Sequence, residues 1–167
     1  GVAMRAKQWS DAQVLLERAL EIAPDFIQCW MDLGLAHQEQ DRTDDALDAF
    51  ERARRLEPNR PNPYAAIGTT NGMAGRHDDA IKAFHKALYL DEGHATALAG
   101  LGHVLKTIGR VDEGIAAYRK CVQHNSWNGE AWWSLANLKT FRFEPEDVAA
   151  MEAEIADERL ADEQRAN

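Results

Sequence analysis

The sequence predicts an all-α fold, a right-handed solenoid built from antiparallel helix pairs. One observation behind this prediction is an internal repeat of about 34 residues, the length of a stacked helix–turn–helix unit. Another is that apolar residues recur at spacings of three and four, which predicts amphipathic helices. The third is a glycine that returns at the same position of each complete unit: Gly34, Gly68 and Gly102.

The first complete unit shows the repeat most fully, and the next two units match it position by position. One unit cannot bury its apolar faces alone, so at least three must stack. The matched positions hold Trp30, Leu33, Gly34, Ala46, Phe50 and Ala53 in the first unit, Tyr64, Ile67, Gly68, Ala80, Phe84 and Ala87 in the second, and Leu98, Leu101, Gly102, Gly114, Tyr118 and Cys121 in the third.

Breaks in the apolar pattern place the helix ends. The run from Asp41 to Asp45 predicts a helix start, because its side chains can cap free backbone N–H groups and acids favour a first turn. Pro58 marks a helix end, and Gly75 and Gly109 predict turns, since glycine adopts positive φ at little cost. We therefore expect helices over residues 10–23, 26–39, 44–56, 62–74, 78–90, 96–108, 112–124 and 129–141.

The helices group into segments. The tail helix begins at Pro145, a favourable first helical residue, and carries an apolar stripe of Val148, Met151 and Ile155. The segments are 1–24, a partial repeat with a second helix and a stub of the first; 27–60, 61–94 and 95–128, three complete repeats; 129–141, the first helix of a further half-repeat; and 142–167, a non-repeat acidic helical tail leading to a missing domain.

The repeated glycine predicts a close approach of the two helices within each unit. Glycine inside a helix costs about 1 kcal/mol relative to alanine, so its return at one position needs a structural reason. The spaces between units are expected to hold the large residues of the pattern, namely Trp30, Tyr64, Leu98, Phe50, Phe84 and Tyr118.

The charge distribution excludes two classes of partner. The formal net charge is −9, and from Arg142 onward nine acidic residues stand against three basic ones. Neither the repeats nor the tail offers the basic surface that nucleic acid or an anionic membrane requires, so we expect no nucleic-acid or membrane partner. The two cysteines, Cys29 and Cys121, lie in different repeats and suggest a reducing, cytoplasmic location.

The pattern over residues 9–140 resembles the tetratricopeptide repeat family. The resemblance implies an α-solenoid of the tetratricopeptide type that binds a protein or peptide in the concave groove lined by the first helix of each unit. Carried over by matching positions, the groove residues are Gln28, Met31, Asp32, Leu35, Gln38, Asn62, Thr69, Met73, Thr96, His103, Lys106, Trp133, Asn137 and Phe141.

Trp133 is the most informative residue of this set. Its neighbour Trp132 takes the inward position, so Trp133, about 100° further round the helix, should face the groove. Tryptophan is enriched in interface hot spots. The alternative is that the tail helix from Pro145 folds back and covers Trp133 and Phe141.

A second resemblance concerns the end of the repeat. The stretch from Ala131 to Phe143, with Glu146 to Glu152, resembles the junction in bacterial proteins that join a tetratricopeptide array to a sulfotransferase domain. In that family the catalytic domain moves a sulfuryl group from PAPS to an acceptor. The resemblance implies that this chain is the N-terminal, non-catalytic arm of such an enzyme, presenting the acceptor or holding two protomers together. The alternative is a stand-alone adaptor or oligomerisation module.

Catalysis by this chain itself is not expected. The sequence has no strand pattern and no glycine-rich loop to cradle a phosphosulfate, so we expect no cofactor and no PAPS binding. No two histidines have the i, i+4 spacing of a metal site. Cys121 takes an alanine position and should be buried, and Cys29 has no neighbouring histidine in its helix to lower its pKa. The acid pairs Asp44–Asp45, Asp78–Asp79 and Asp112–Glu113 fit helix N-termini rather than a catalytic carboxylate pair.

Overall fold

The computed structural model describes residues 2–126, 128–138 and 142–156, and over these residues the chain is helical with no strand. The all-α prediction is therefore confirmed. None of the helices in these ranges combines the length and the apolar character that a bilayer span needs. The helices are α1 Val2–Ile22, α2 Ile27–Gln38, α3 Thr43–Leu56, α4 Pro61–Met73, α5 His77–Leu90, α6 Ala95–Thr107, α7 Val111–His124, α8 Gly129–Ala136 and α9 Pro145–Ala156.

The chain divides into two compact units, Gly1–Glu92 and Gly93–Asn167. Unit 1 contains α1 to α5, in which α2 pairs with α3 and α4 pairs with α5. Unit 2 contains α6 to α9, in which α6 pairs with α7 and α8 packs on α7. Both units are thus built from the helix pairs that the repeat predicts.

The turns inside the pairs confirm the glycine prediction and correct the capping prediction. Gly75 and Gly109 have φ values of 73° and 85°, and Asp41 takes the matching position with φ 58°. Asp41 therefore lies in the turn and does not cap α3. The N-cap of α3 is Arg42, and its side chain makes no capping hydrogen bond. Asp44 and Asp45 lie in the first turn of α3, where the helix dipole favours negative charge.

The close approach within each pair is confirmed. The ring of Phe50 lies against Gly34, and a Cβ on Gly68 would come within 2.6 Å of the ring of Phe84. Phe50 also belongs to a buried cluster with Ile67 of the next repeat. The large residue of the second helix therefore fills both the gap within its own pair and the space between repeats.

A hydrogen bond that the pattern did not predict recurs at the start of the first helices. In unit 1, Nε1 of Trp30 donates to the carbonyl oxygen of Pro24 at 2.7 Å. In the next repeat, the hydroxyl of Tyr64 donates to the carbonyl oxygen of Pro58 at 3.0 Å. These aromatic residues therefore hold the preceding turn as well as packing between repeats. In unit 2, Nε1 of Trp132 donates to a carbonyl six residues earlier, that of Ser126, at 2.8 Å.

Two features of the N-terminal region differ from the prediction. Residues 2–22 form one continuous helix, so the expected stub is part of α1 and not a separate first helix. Cys29, whose burial the repeat pattern does not predict, is buried in a cluster with Leu20, Leu33 and Ala49. The reason is that α1 packs along α2 and covers this side of it.

The end of the repeat also differs. We expected the helix that starts at Gly129 to reach residue 141, but α8 ends at Ala136 and Asn137 is its C-cap. Further along the chain, the ring of Phe143 packs on Trp132 with ring centroids 6.1 Å apart. The side chain of Asp147, in α9, then lies 3.4 Å from Arg119 of α7.

Candidate functional site

The expected groove residues of unit 1 lie on α2 and α4. Leu35 of α2 is 45% exposed and Met73 of α4 is 68% exposed, so both offer apolar surface to solvent. The amide of Gln38 donates to the sulfur of Met73 at 2.9 Å and so links the two helices. The structure therefore brings Gln38 and Met73 together.

Other expected residues of unit 1 contribute less to a binding surface. Met31 is half-buried and packs on the Phe50–Ile67 cluster. The hydroxyl of Thr69 donates to the carbonyl oxygen of Ala65 at 3.1 Å, which leaves it acceptor capacity only. Asn62 is exposed at the start of α4.

The expected residues of unit 2 are mostly exposed. Trp133 is 65% exposed, whereas its neighbour Trp132 is 9% exposed. Thr96, His103 and Asn137 are exposed and Lys106 is half-buried, while Phe141 lies outside the described residues.

The alternative in which the tail helix covers Trp133 is wrong for the described residues. Helix α9 starts beside Trp132 and α7, where Phe143 and Asp147 make their contacts. These contacts leave the ring of Trp133 open to solvent. The apolar stripe of α9 is also partly open, since Val148 is 41% and Ile155 65% exposed.

Sequence reasoning missed an apolar cleft between α1 and α2. It encloses about 430 Å³. The missed residues sit at regular core positions of the repeat, so only their exposure distinguishes them from core. The lining of the cleft is Trp9, Ala12, Leu15, Leu16, Asp32 and Leu35.

A polar cavity of about 360 Å³ lies on the other side of α2, against α3. His37, which is 7% exposed, lines it. Nδ1 of His37 is 2.5 Å from the guanidinium of Arg42, which also donates to the side chain of Gln13 in α1. Burial first, and then the charge of Arg42, lower the pKa of His37 below its usual value. The neutral imidazole thus accepts a hydrogen bond in a cluster that joins α1, α2 and the turn before α3.

The buried thiol in unit 2 is unsuited to nucleophilic chemistry. Cys121 is fully buried, as expected, and burial raises its pKa to about 11. A thiol with a raised pKa holds almost no thiolate at neutral pH. Among the residues that the structure describes, no group of three or more His, Cys, Asp or Glu side chains could hold a metal ion.

Successive antiparallel helix pairs with exposed apolar side chains on their first helices are typical of a helical-repeat scaffold. Two family models, each described as tetratricopeptide repeat, match residues 3–68 and 73–130. Together these matches cover most of the sequence, and the chain belongs to the tetratricopeptide repeat family. The matched segments are repeat units for protein interaction and not catalytic domains.

Solved structures agree on the fold. A crystal structure of MamA is similar with a TM-score of 0.68 at 23% sequence identity, covering 89% of this chain and 81% of that chain. The tetratricopeptide domain of Arabidopsis OM64 has a TM-score of 0.64 at 17% sequence identity, and the match covers 68% of this chain and 93% of that chain. At these identities the likeness shows the tetratricopeptide solenoid fold alone. No curated protein matches the sequence.

Proposed function

We propose that this chain binds a protein or peptide through the exposed faces of its first helices, α2 and α4 in unit 1 and α8 in unit 2. The observation that carries the proposal is Trp133. An indole that is 65% exposed, on a helix whose neighbouring Trp132 is buried, presents a large apolar area that folding does not use. Aromatic side chains of this kind are enriched among the residues that dominate binding energy.

The exposed residues of unit 1 support the same proposal. Leu35 and Met73 offer an adaptable apolar surface, because methionine has three rotatable bonds and a polarisable sulfur. Gln28, Gln38 and Asn62 add amide groups that can donate to and accept from a peptide backbone. A surface of this composition suits a peptide that offers apolar side chains and backbone hydrogen bonds.

The setting of this scaffold is a further part of the proposal. We favour a cytoplasmic bacterial protein in which the chain is the N-terminal arm of a PAPS-dependent sulfotransferase. The support is the resemblance of residues 131–152 to the junction in such enzymes. The second candidate is a stand-alone adaptor or oligomerisation module, which the family matches to tetratricopeptide repeats fit equally well. In both settings this chain binds its partner without a cofactor.

A capture experiment tests the binding face. Trp133→Ala should weaken capture of the partner by about 1–3 kcal/mol if this side chain is a hot spot. Tyr89→Ala is the matched control, because Tyr89 is 81% exposed but lies on α5, a second helix. An equal loss of partner capture in both variants, or no loss of capture in Trp133→Ala, would count against binding through the first helices. A loss of helicity in Trp133→Ala would instead assign Trp133 to the fold.

The gene sequence beyond residue 167 separates the two settings. A sulfotransferase domain downstream supports the first, and a stop codon soon after residue 167 removes it. Independently, calorimetry with PAPS and this chain alone should give no signal. A clear binding isotherm would overturn the non-catalytic role of the arm.

A further inference from the structure

Charged residues are distributed unequally between the two kinds of helix in unit 1. The first helices, α2 and α4, together hold one, Asp32, and the stretch Pro61–Met73 has no Asp, Glu, Lys or Arg. The second helices, α3 and α5, hold seven and four. In a chain of which 28% is charged, helices of nearly equal length do not acquire such a difference from composition alone.

Burial does not explain this difference, because it persists at the exposed positions. The exposed residues of α3 are all charged, namely Asp44, Asp45, Asp48, Arg52 and Arg55. The exposed residues of α2 and α4 are all uncharged, namely Gln28, Leu35, Asn62 and Met73. Charged side chains are ordinarily the commonest occupants of exposed positions. The first helices of unit 1 therefore expose surface to water without placing charge on it.

The surface on α4 is open although its neighbouring helices in unit 1 are in place. Helix α4 packs against both α3 and α5, and Met73 is nevertheless 68% exposed. The amide of Gln38 holds the Met73 sulfur from α2. Asp32 is half-buried, and its carboxylate accepts from the amide of Gln28 on the same helix at 2.8 Å.

Depletion of charge is the compositional mark of the centre of a protein interface. Groups at such a centre lose their water on binding, and a charged group that finds no opposite charge there pays the full cost of desolvation. A lysine or glutamate of a partner placed on Met73 and Thr69 would meet no charged residue of α4. This surface therefore favours a partner segment that carries no charge.

We propose that the α2–α4 face of unit 1, formed by Gln28, Gln38, Asn62, Thr69 and Met73, binds an uncharged stretch of a partner protein, made of apolar, amide and hydroxyl side chains. The proposal rests on the proposed function, because it names the kind of segment that the first helices accept. Helix α9 of a second copy is not such a stretch, since it carries Glu146, Asp147, Glu152 and Glu154.

Selection from a library tests the composition of the bound segment. Random peptides displayed on phage are selected on the immobilised whole chain and sequenced. Charged residues should be at least about twofold rarer in the selected peptides than in the unselected library. The affinity of a selected peptide should change by less than about twofold between about 0.1 M and about 1 M NaCl, because screening acts only on charge interactions.

Two variants at residue 73 separate charge from shape. Met73→Glu should weaken binding of the selected peptides about tenfold, and Met73→Gln by no more than about twofold, since the two new side chains differ in charge and hardly in size. Tyr89→Glu is the matched control on the second helix α5 and should leave the affinity unchanged. Helical circular dichroism should be the same in all three variants, because Met73 is 68% and Tyr89 81% exposed.

Several outcomes overturn the proposal. These are selected peptides rich in acidic or basic residues, no selected peptide at all, equal losses in Met73→Glu and Met73→Gln, or an affinity that falls about tenfold in high salt. A dimer of the chain that dissociates in Met73→Glu also overturns it, since the occupant is then a second copy.

Failure of this inference is distinguishable from failure of the proposed function. If charged peptides are selected and lose affinity in both variants at residue 73 but not in Tyr89→Glu, the first helices bind partners and only the requirement for an uncharged segment is wrong. If Tyr89→Glu alone weakens binding, the proposed function is wrong as well.

Discussion

Gly68 lies so close to the ring of Phe84 that a Cβ at residue 68 would come within 2.6 Å of the ring carbon Cδ1. Phe84 is fully buried, so its ring has little room to move aside. Gly68→Ala should therefore lower the free energy of unfolding by about 1–3 kcal/mol, the usual range for overpacking a core, although alanine favours helix. Urea denaturation followed by circular dichroism measures this.

Gly129→Ala is the control for that substitution. Gly129 opens α8 and has open space where its Cβ would be. This variant should unfold at the same urea concentration as the unmodified chain or slightly above it. A Gly68→Ala chain that is as stable as the control would show that the helices of the pair do not need glycine for their approach.

The hydrogen bond from Tyr64 to the carbonyl oxygen of Pro58 should contribute to stability. Tyr64→Phe keeps the ring and removes the hydroxyl, and should lower the free energy of unfolding by about 0.5–1.5 kcal/mol. The matched control is Tyr89→Phe, because Tyr89 is 81% exposed. Equal stability of the two variants would mean that the turn before α4 does not depend on this bond.

His37 should make the stability of unit 1 depend on pH. Burial and the charge of Arg42 lower the pKa of this imidazole in the fold, so the unfolded chain binds the proton more readily. The contribution of neutral His37 is therefore present above its unfolded pKa of about 6.5 and is lost as the pH falls below that value. Urea denaturation at several pH values between 7.5 and 5 measures the slope.

The variant that isolates the effect of this residue is His37→Asn. It places asparagine at position 37, where the next repeat has Asn71. There the buried amide of Asn71 donates to the carbonyl oxygen of Ile67 at 3.0 Å. His37→Asn should flatten the dependence of stability on pH, whereas His85→Asn, at an exposed position of α5, should not. An unchanged slope in His37→Asn would assign the pH dependence elsewhere.

The third complete repeat should open most easily among the complete repeats. It carries Gly114 inside α7, at a cost of about 1 kcal/mol relative to alanine, and Cys121 where the other units have alanine. Backbone atoms of α6 approach Gly114, since a Cβ there would lie 3.0 Å from the carbonyl oxygen of Gly102. Native-state hydrogen exchange should be fastest in α6 and α7. Faster exchange in α2 to α5 would contradict this.

The repeat predicted the fold well because its signals are local and recur. Glycine at 34-residue intervals and the turn glycines Gly75 and Gly109 each have one simple structural consequence. The contact of Phe143 with the ring of Trp132 was not predictable in this way, because Phe143 lies outside the repeat pattern. The burial of Cys29 likewise depends on α1, whose register against α2 no local pattern specifies.

The candidate site was predictable only in part. Matching positions identified exposed residues such as Trp133 and Met73 because the first helices follow the repeat closely. This matching missed the cleft of α1 and α2, since Leu16 occupies the position that the fully buried Phe50 holds in the next repeat. Whether a core position is covered depends on the neighbouring helix, and the position itself does not reveal it.

The central claim is that partners bind the first helices and not the second helices. Photo-cross-linking tests this most directly, with benzoylphenylalanine placed at Met73, at Trp133, or at Tyr89 on the second helix α5. The account predicts cross-linked adducts of one discrete size from the first two positions and none from Tyr89. Adducts from Tyr89 alone, with Met73 and Trp133 silent, would contradict it.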